Sequence, residues 1–445
     1  MKSTLLRLQF LAVALFFLFL SPTRVYGVEF QWNGEIKITD YLYDQLDRYY
    51  GPPVERSNYF LQRTTLNGSV QSGVTTGIFR FYLNDLTPGG DEPTGGYIWG
   101  STGGFGSPIS IEPGIREAYL EFAVPFNATL DFGHKVLKVG HGIILNDMSD
   151  NVFLTIPYSI FKLNLAYIKV KEADSVNNGN ADDFDTNGYL IDIVATFDDT
   201  DSLELFYTET KEQNPTGFDL SDNDALVLGI AANGRAGIVD WTGEYDQISG
   251  FDGNYLVNLP RVGVNFYLSG SVPFGFGRAG VDLLYIKGNR SNSEVSYNSI
   301  AGDFVGGRGI LLNSQNRYNG GIDLNSGMAD LVDPTPAGYW SILSHHFTSV
   351  KGYIEFNPFH RLSLVMEVFP SVTVIEPAVL GLQHGDIGME GNMTGIYPLD
   401  DHLKLIAGVA YLKAGNALRE IAATTNTPGF AQNITKTQIS LLWTF

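Results

Sequence analysis

Eleven charged side chains fall on alternate positions of apolar, aromatic-rich stretches, each opposite a greasy face: Arg80, Glu117, Glu121, Lys138, Arg278, Asp282, Lys351, Glu355, Arg361, Glu367 and Lys404. Successive side chains of a strand point to opposite faces, so a pleated backbone gathers these charges on one side and the apolar residues on the other. Charges of both signs on one face have two uses. They pair across neighbouring strands and stiffen a wall, or they line a polar passage and orient hydrated solutes through their summed field.

Catalytic arrangements are poorly supported by the same residues. Glu117 and Glu121 share a face but sit about 13 Å apart along a strand, too far for a paired-carboxylate hydrolase without a third acid. His345 and His346 are adjacent and point to opposite faces of a strand, which disfavours a joint metal site. No serine occupies a G-x-S-x-G elbow. Asp182, Asp183 and Asp185 supply oxygen ligands for Ca²⁺ in an acidic loop, without the ordered spacing and terminal Glu of an EF-hand. A solvated acidic loop is the simpler account, so neither an enzyme nor an obligatory cofactor is expected.

The elements that must position the charges are strands. Residues 1–27 carry Lys2 and Arg7, an apolar run from Leu8 to Leu20, a Ser21-Pro22 break and a small Gly27, the pattern of a secretory signal peptide. No other stretch has the length of a transmembrane helix. Removing residues 1–27 leaves 25 Lys plus Arg against 48 Asp plus Glu, a sign that disfavours nucleic acid as a partner. Cysteine is absent, excluding disulfides and thiolate metal sites. Fifty glycines, 23 Tyr and 29 Phe suit many twisted strands, tight turns and aromatic girdles.

Alternation recurs along the chain. Phe30, Trp32, Ile36 and Ile38 share one parity, as do Phe79, Phe81 and Leu83, then Ala118, Leu120 and Phe122. KVLKVGHGIILND at residues 135–147 reads as one strand and NG at 233–234 as the turn of a hairpin. A polar segment at 171–186 falls on the short-turn side unless a further strand lies within 150–160. Long glycine- and acid-rich loops are expected near 84–114 and 288–340. The last ten residues, KTQISLLWTF, place Ile439, Leu441, Trp443 and Phe445 on one face, and should pair with residues 28–43 to close a sheet.

Several stretches resemble known outer-membrane proteins. A chain ending in an aromatic on such a strand is similar to the closing strand of Gram-negative outer-membrane β-barrels, which implies that Phe445 belongs to an assembly signal. The order REAYLEF, turn, LKVGHGI at 116–122 and 137–143 resembles a motif of porin-like families, including alginate-export-like barrels, as does the hairpin at 385–415. His141 departs from that motif, where Arg or Lys followed by Gln is frequent. The expected fold is an all-β, transmembrane, antiparallel up-and-down barrel of 16–18 strands forming one unit over residues 28–445, in the outer membrane of a Gram-negative bacterium. Its expected partners are outer-membrane lipid and lipopolysaccharide, the barrel-assembly machinery and small solutes, and a homo-oligomer is compatible with the pattern.

The preferred function from the sequence is passive diffusion of small hydrophilic solutes or ions, with the lumen charges setting selectivity. A polyanion such as alginate would need a continuous basic lumen, which the mixed signs do not provide. The alternatives are a substrate-specific transporter of a polysaccharide or hydrophobic compound, a soluble secreted β-rich polysaccharide-binding protein or enzyme, and a sheath for a periplasmic cytochrome.

Overall fold

The computed structural model describes residues 28–44, 56–83, 98–99, 114–171, 186–212, 224–254, 257–287, 301–302, 346–374, 383–417, 419–420 and 433–445. The leader at 1–27, most of the two long loops, Asp182, Asp183, Asp185 and His345 lie outside the described residues.

Alternating sequences give strands in chain order: β1 (Glu29–Asp44), β2 (Arg56–Ser72), β3 (Thr75–Leu83), β4 (Ile98–Trp99), β5 (Gly114–Val124), β6 (Ala128–Val139) and β7 (Leu145–Tyr158). Next come β8 (Phe161–Lys171), β9 (Thr186–Thr196), β10 (Ser202–Glu212), β11 (Asp224–Ala236), β12 (Val239–Asn254), β13 (Val257–Phe274) and β14 (Gly277–Lys287). The series ends with β15 (Ala301–Gly302), β16 (His346–Phe359), β17 (Leu362–Val374), β18 (Asp386–Pro398), β19 (Leu403–Ala414) and β20 (Ile434–Thr444). Setting aside the two-residue β4 and β15, each strand pairs antiparallel with its neighbours in sequence, and β20 pairs with β1. Eighteen long strands thus form a closed up-and-down barrel without an edge, the arrangement that satisfies backbone groups within lipid. This is the upper end of the expected strand number.

Parity separates the two faces. On β20, Ile439, Leu441 and Trp443 are exposed on the outer face, whereas Gln438, Ser440 and Leu442 are buried on the inner one. The same division runs through β9 (Ile191 and Ile193 against Leu190 and Asp192) and β14 (Val281 against Asp282 and Leu284). Connections of two to five residues, at 73–74, 125–127, 159–160, 197–201, 237–238, 275–276, 360–361 and 399–402, lie at one end with residues 28 and 445. Short turns mark the periplasmic end of such barrels. Exposed Phe126, Tyr158, Phe161, Phe197, Phe276, Phe359 and Phe445 cluster there as an aromatic girdle.

Three local readings change. Residues 135–147 are not one strand: Gly140 (φ 57°) and Gly142 (φ 90°) take left-handed conformations that end β6 and start a turn. The strand sought within 150–160 is β7, so β8 ends, and β9 begins, at the end of the barrel opposite the short turns. The β11–β12 turn is at Gly237 (φ 63°), not at Asn233-Gly234. Asn233 instead donates from Nδ2 to Ser202 Oγ at 3.0 Å and accepts from Thr242 Oγ1 at 3.2 Å.

The seam has a specific construction. Gly34 N–H donates to Phe445 O and Phe445 N–H to Gly34 O, both at 3.0 Å. A Cβ on Gly34 would lie 2.6 Å from the Phe445 ring, so glycine makes room for the terminal aromatic, which also meets Trp443 at 5.1 Å between centroids. Deleting Phe445 removes both bonds and the ring. The deletion is expected to lower the yield of folded, heat-modifiable barrel in lipid, and an undiminished yield on gels would refute this role.

Candidate functional site: a hairpin folded into the lumen

The register locates where the wall is interrupted. Pairing of β5 with β6 runs from Val124↔Ala128 only as far as Ala118↔His134, and that of β7 with β8 from Tyr158↔Phe161 to Asp150↔Lys169. Beyond those points, residues 135–139 and 145–149 continue as a ladder with each other but with neither wall neighbour among the described residues. The end of the β6–β7 hairpin has left the barrel wall. Gly133 marks the departure: its φ is 136°, and a Cβ there would lie 2.4 Å from Ala118 O. A chain that must turn this sharply beside a neighbouring carbonyl has room only for glycine.

Side chains brace the departure point. His134 Nδ1 bonds Asp150 Oδ1 at 2.8 Å across the pair where both strands leave the wall. Lys135 pairs with Asp131, and its ammonium lies 4.8 Å from the Phe153 ring centroid and 5.1 Å from that of Tyr119. Cation–π contacts of this length add to the ion pair.

The tip turns inward. Leu137, Val139, Ile144 and Leu145 are buried in one cluster with Ala166 and Ile168 of β8, Leu190 of β9, Phe206 of β10, Val227 and Ala231 of β11, and Ile248 of β12. All of these wall residues have inward parity, since their neighbours Tyr167, Ile191, Leu205, Leu228, Ile230 and Tyr245 are exposed outside. An apolar patch inside a barrel is thereby covered by the barrel's own hairpin. Gly140 N–H donates to Glu204 Oε1 at 2.6 Å, and His141 N–H donates to Glu244 Oε2. The His141 ring bonds Gly243 O at 3.1 Å through Nε2, which must be the protonated nitrogen because a carbonyl only accepts. Burial is the main cause that pushes His141 below the ordinary histidine range, and the Lys138 charge adds to it. On the other side of the hairpin, Ala301–Gly302 pair in parallel with Leu145–Asn146 of β7.

Cross-strand rows organise the wall beneath the tip. One row runs Asn164, Asp192, Phe206, Gly229, Asp246, Asn265; Asn164 Nδ2 donates to Asp192 Oδ2 at 2.6 Å. The next runs Lys162, Val194, Glu204, Ala231, Glu244, Tyr267. A third runs Ser202, Asn233, Thr242, Ser269, Asp282, Lys351, and ends in a buried ion pair. There Lys351 Nζ lies 2.7 Å from Asp282 Oδ2 and 3.4 Å from Glu367 Oε1, while Ser269 Oγ donates to Asp282 Oδ1 at 2.6 Å.

The charges read from the sequence are distributed over this framework rather than gathered at one point. Arg80 faces Glu117 across β3 and β5, with Nη1 to Oε2 at 3.3 Å, and its Nε donates to Asn67 Oδ1 at 2.8 Å. Glu121 lies opposite Thr76 and Asp131, and Glu355 opposite Arg278 and Val365. Arg278 reaches Asp240 at 2.9 Å, and Arg235 holds the other oxygen of Asp240 at 2.6 Å. Lys404 is the second residue of β19, opposite Pro398 and Leu442. Lys138 lies on the inward hairpin and not on the wall, and Arg361 is exposed in the β16–β17 turn. Asp192, Glu204, Arg235, Asp240, Glu244 and Asp246 were not among the charges selected from the sequence, although LELFY and GEYDQ alternate as plainly as the strands that were. Among the described residues, no group of three or more His, Asp or Glu is placed to hold a metal.

The barrel as a whole superposes on several solved structures. A BenF-like porin from Pseudomonas fluorescens Pf-5 superposes with a TM-score of 0.55 at 10% identity, covering 94% of this chain and 98% of that one. The fold is that of an outer-membrane porin. The outer membrane protein OprD from Pseudomonas aeruginosa gives 0.54 at 8% identity, covering 95% of each chain. OccK2 (OpdF) of Pseudomonas aeruginosa, crystallised in complex with glucuronate, gives 0.54 at 9%, covering 93% and 98%. No protein-family model matches the sequence, and no curated protein matches it. At these identities the likeness extends to the fold alone. The resemblance to porin-like barrels therefore holds for architecture, and the outer membrane is the location that this porin architecture serves.

Proposed function

We propose that this porin is a substrate-selective channel for small molecules, with the β6–β7 hairpin as the element that narrows its lumen. The carrying observation is that residues 135–149 leave the wall and dock on the inner faces of β8–β12. An eighteen-stranded barrel is wide enough for an aqueous channel, and a packed hairpin inside it replaces part of that water with fixed side chains. The sequence favoured passive diffusion with the lumen charges setting selectivity; the docked hairpin and the similarity to Occ-type porins, one of them crystallised with glucuronate, favour the substrate-specific alternative. The lumen-lining role of Arg80, Glu117, Glu121, Lys138, Arg278, Asp282, Lys351, Glu355, Glu367 and Lys404 belongs to this proposal. Most of the wall charges are already paired across strands, which leaves the exposed Lys138 on the hairpin to meet solute.

Swelling of liposomes carrying the purified porin, in a panel of solutes of graded size and charge, tests the reading. Rates that differ between solutes of equal size are expected. Rates that follow size alone would return the protein to the class of general diffusion pores.

A further inference from the structure

Glu204 on β10 and Glu244 on β12 stand in one cross-strand row with only Ala231 of β11 between them. The small side chain leaves a notch one strand wide, flanked by a carboxylate on each side. Two successive backbone amides enter it: Gly140 N–H bonds Glu204 Oε1 at 2.6 Å and His141 N–H bonds Glu244 Oε2. Gly140 has φ 57°, and a Cβ on it would lie 2.6 Å from Glu244 Oε2, so the fit depends on glycine at this position. One amide bonded to a carboxyl oxygen on each of two separate strands fixes orientation as well as position.

We propose that Glu204 and Glu244 are positioning residues that hold the hairpin tip against the wall and thereby set the bore. The apolar cluster supplies adhesion without direction, because burial is not directional; the two carboxylates supply the register. They also aim the exposed face of the tip. The clamp thereby fixes the position of Lys138, which is exposed on the hairpin two residues before Gly140.

This inference rests on the reading of the hairpin as the narrow point, and the experiment separates the two. Single-channel recordings of Glu204→Ala/Glu244→Ala are compared with Glu204→Gln/Glu244→Gln, with heat-modifiable gel mobility confirming that each barrel is folded. The Ala pair is expected to raise mean conductance roughly twofold and add flicker between levels, as a loosened element in a pore does. The Gln pair keeps a carbonyl acceptor at each site and is expected to stay near the parent. A folded Ala pair with parental conductance and noise would overturn the clamp. If shortening the hairpin also leaves conductance unchanged, the hairpin is not the narrow point; if shortening widens the pore and the Ala pair does not, the clamp alone is wrong.

Discussion

Lys351→Met is expected to destabilise the barrel by about 3–5 kcal/mol, the usual cost of removing one partner from a buried ion pair. Lys351 is 2% exposed and Asp282 0%, so the Asp282 carboxylate cannot turn to bulk water when the ammonium is lost. Asp282 would retain the Ser269 hydroxyl, a neutral donor that cannot replace a cation 2.7 Å away, and Glu367 would lose its contact at 3.4 Å. Urea unfolding in lipid, followed by gel mobility, measures the difference. The double variant Lys351→Met/Asp282→Leu should recover much of the loss, because an apolar pair of similar volume needs no compensation in this wall. A single variant within 1 kcal/mol of the parent would mean that the pair is solvated or its loss relieved elsewhere.

Replacing residues 136–148 by a short Gly-Asn-Gly turn is expected to raise conductance several-fold and to flatten the differences between solutes. The cut lies beyond His134 and Asp150, so the brace at the departure point remains, as do all pairings of β5 with β6 and of β7 with β8. What disappears is the cover over Ile168, Leu190, Phe206, Val227 and Ile248, which would then face lumen water. Some stability is lost with that burial, roughly 1.5–3 kcal/mol for each large apolar side chain uncovered. Barrel closure does not depend on it. Unchanged conductance and unchanged solute preference in the shortened protein would sink the selective-channel reading.

The barrel was readable because lipid outside and polar groups inside impose a strict period of two. Ile439, Leu441 and Trp443 fall outside on that rule, and Gln438 and Ser440 inside. The site was less readable because the hairpin tip obeys the same period for a different reason. Leu137 and Val139 alternate with Lys138 as though one face met lipid, but that face meets the inner wall of β8–β12. Periodicity reports that one side is apolar and is silent on which apolar surface covers it. The usable signal was local: Gly133, Gly140 and Gly142 all require positive φ, and three such residues do not fit an uninterrupted strand. Glu204 lies 64 residues from Gly140 and Glu244 lies 103 residues from His141, and only the register brings both carboxyl groups onto one notch.

The bonds between Gly34 and Phe445 also bear on how the barrel comes to exist. Every other pairing of long strands joins neighbours in sequence, so each hairpin can form and extend the sheet by a local step. Closing β20 on β1 joins positions separated by nearly the whole chain, and its entropic cost grows with the logarithm of that length. Contacts of this separation govern folding speed. The seam thus closes the longest loop of any pair of long strands, and substitutions along it are expected to slow assembly more than substitutions of equal energetic cost at other strand pairs.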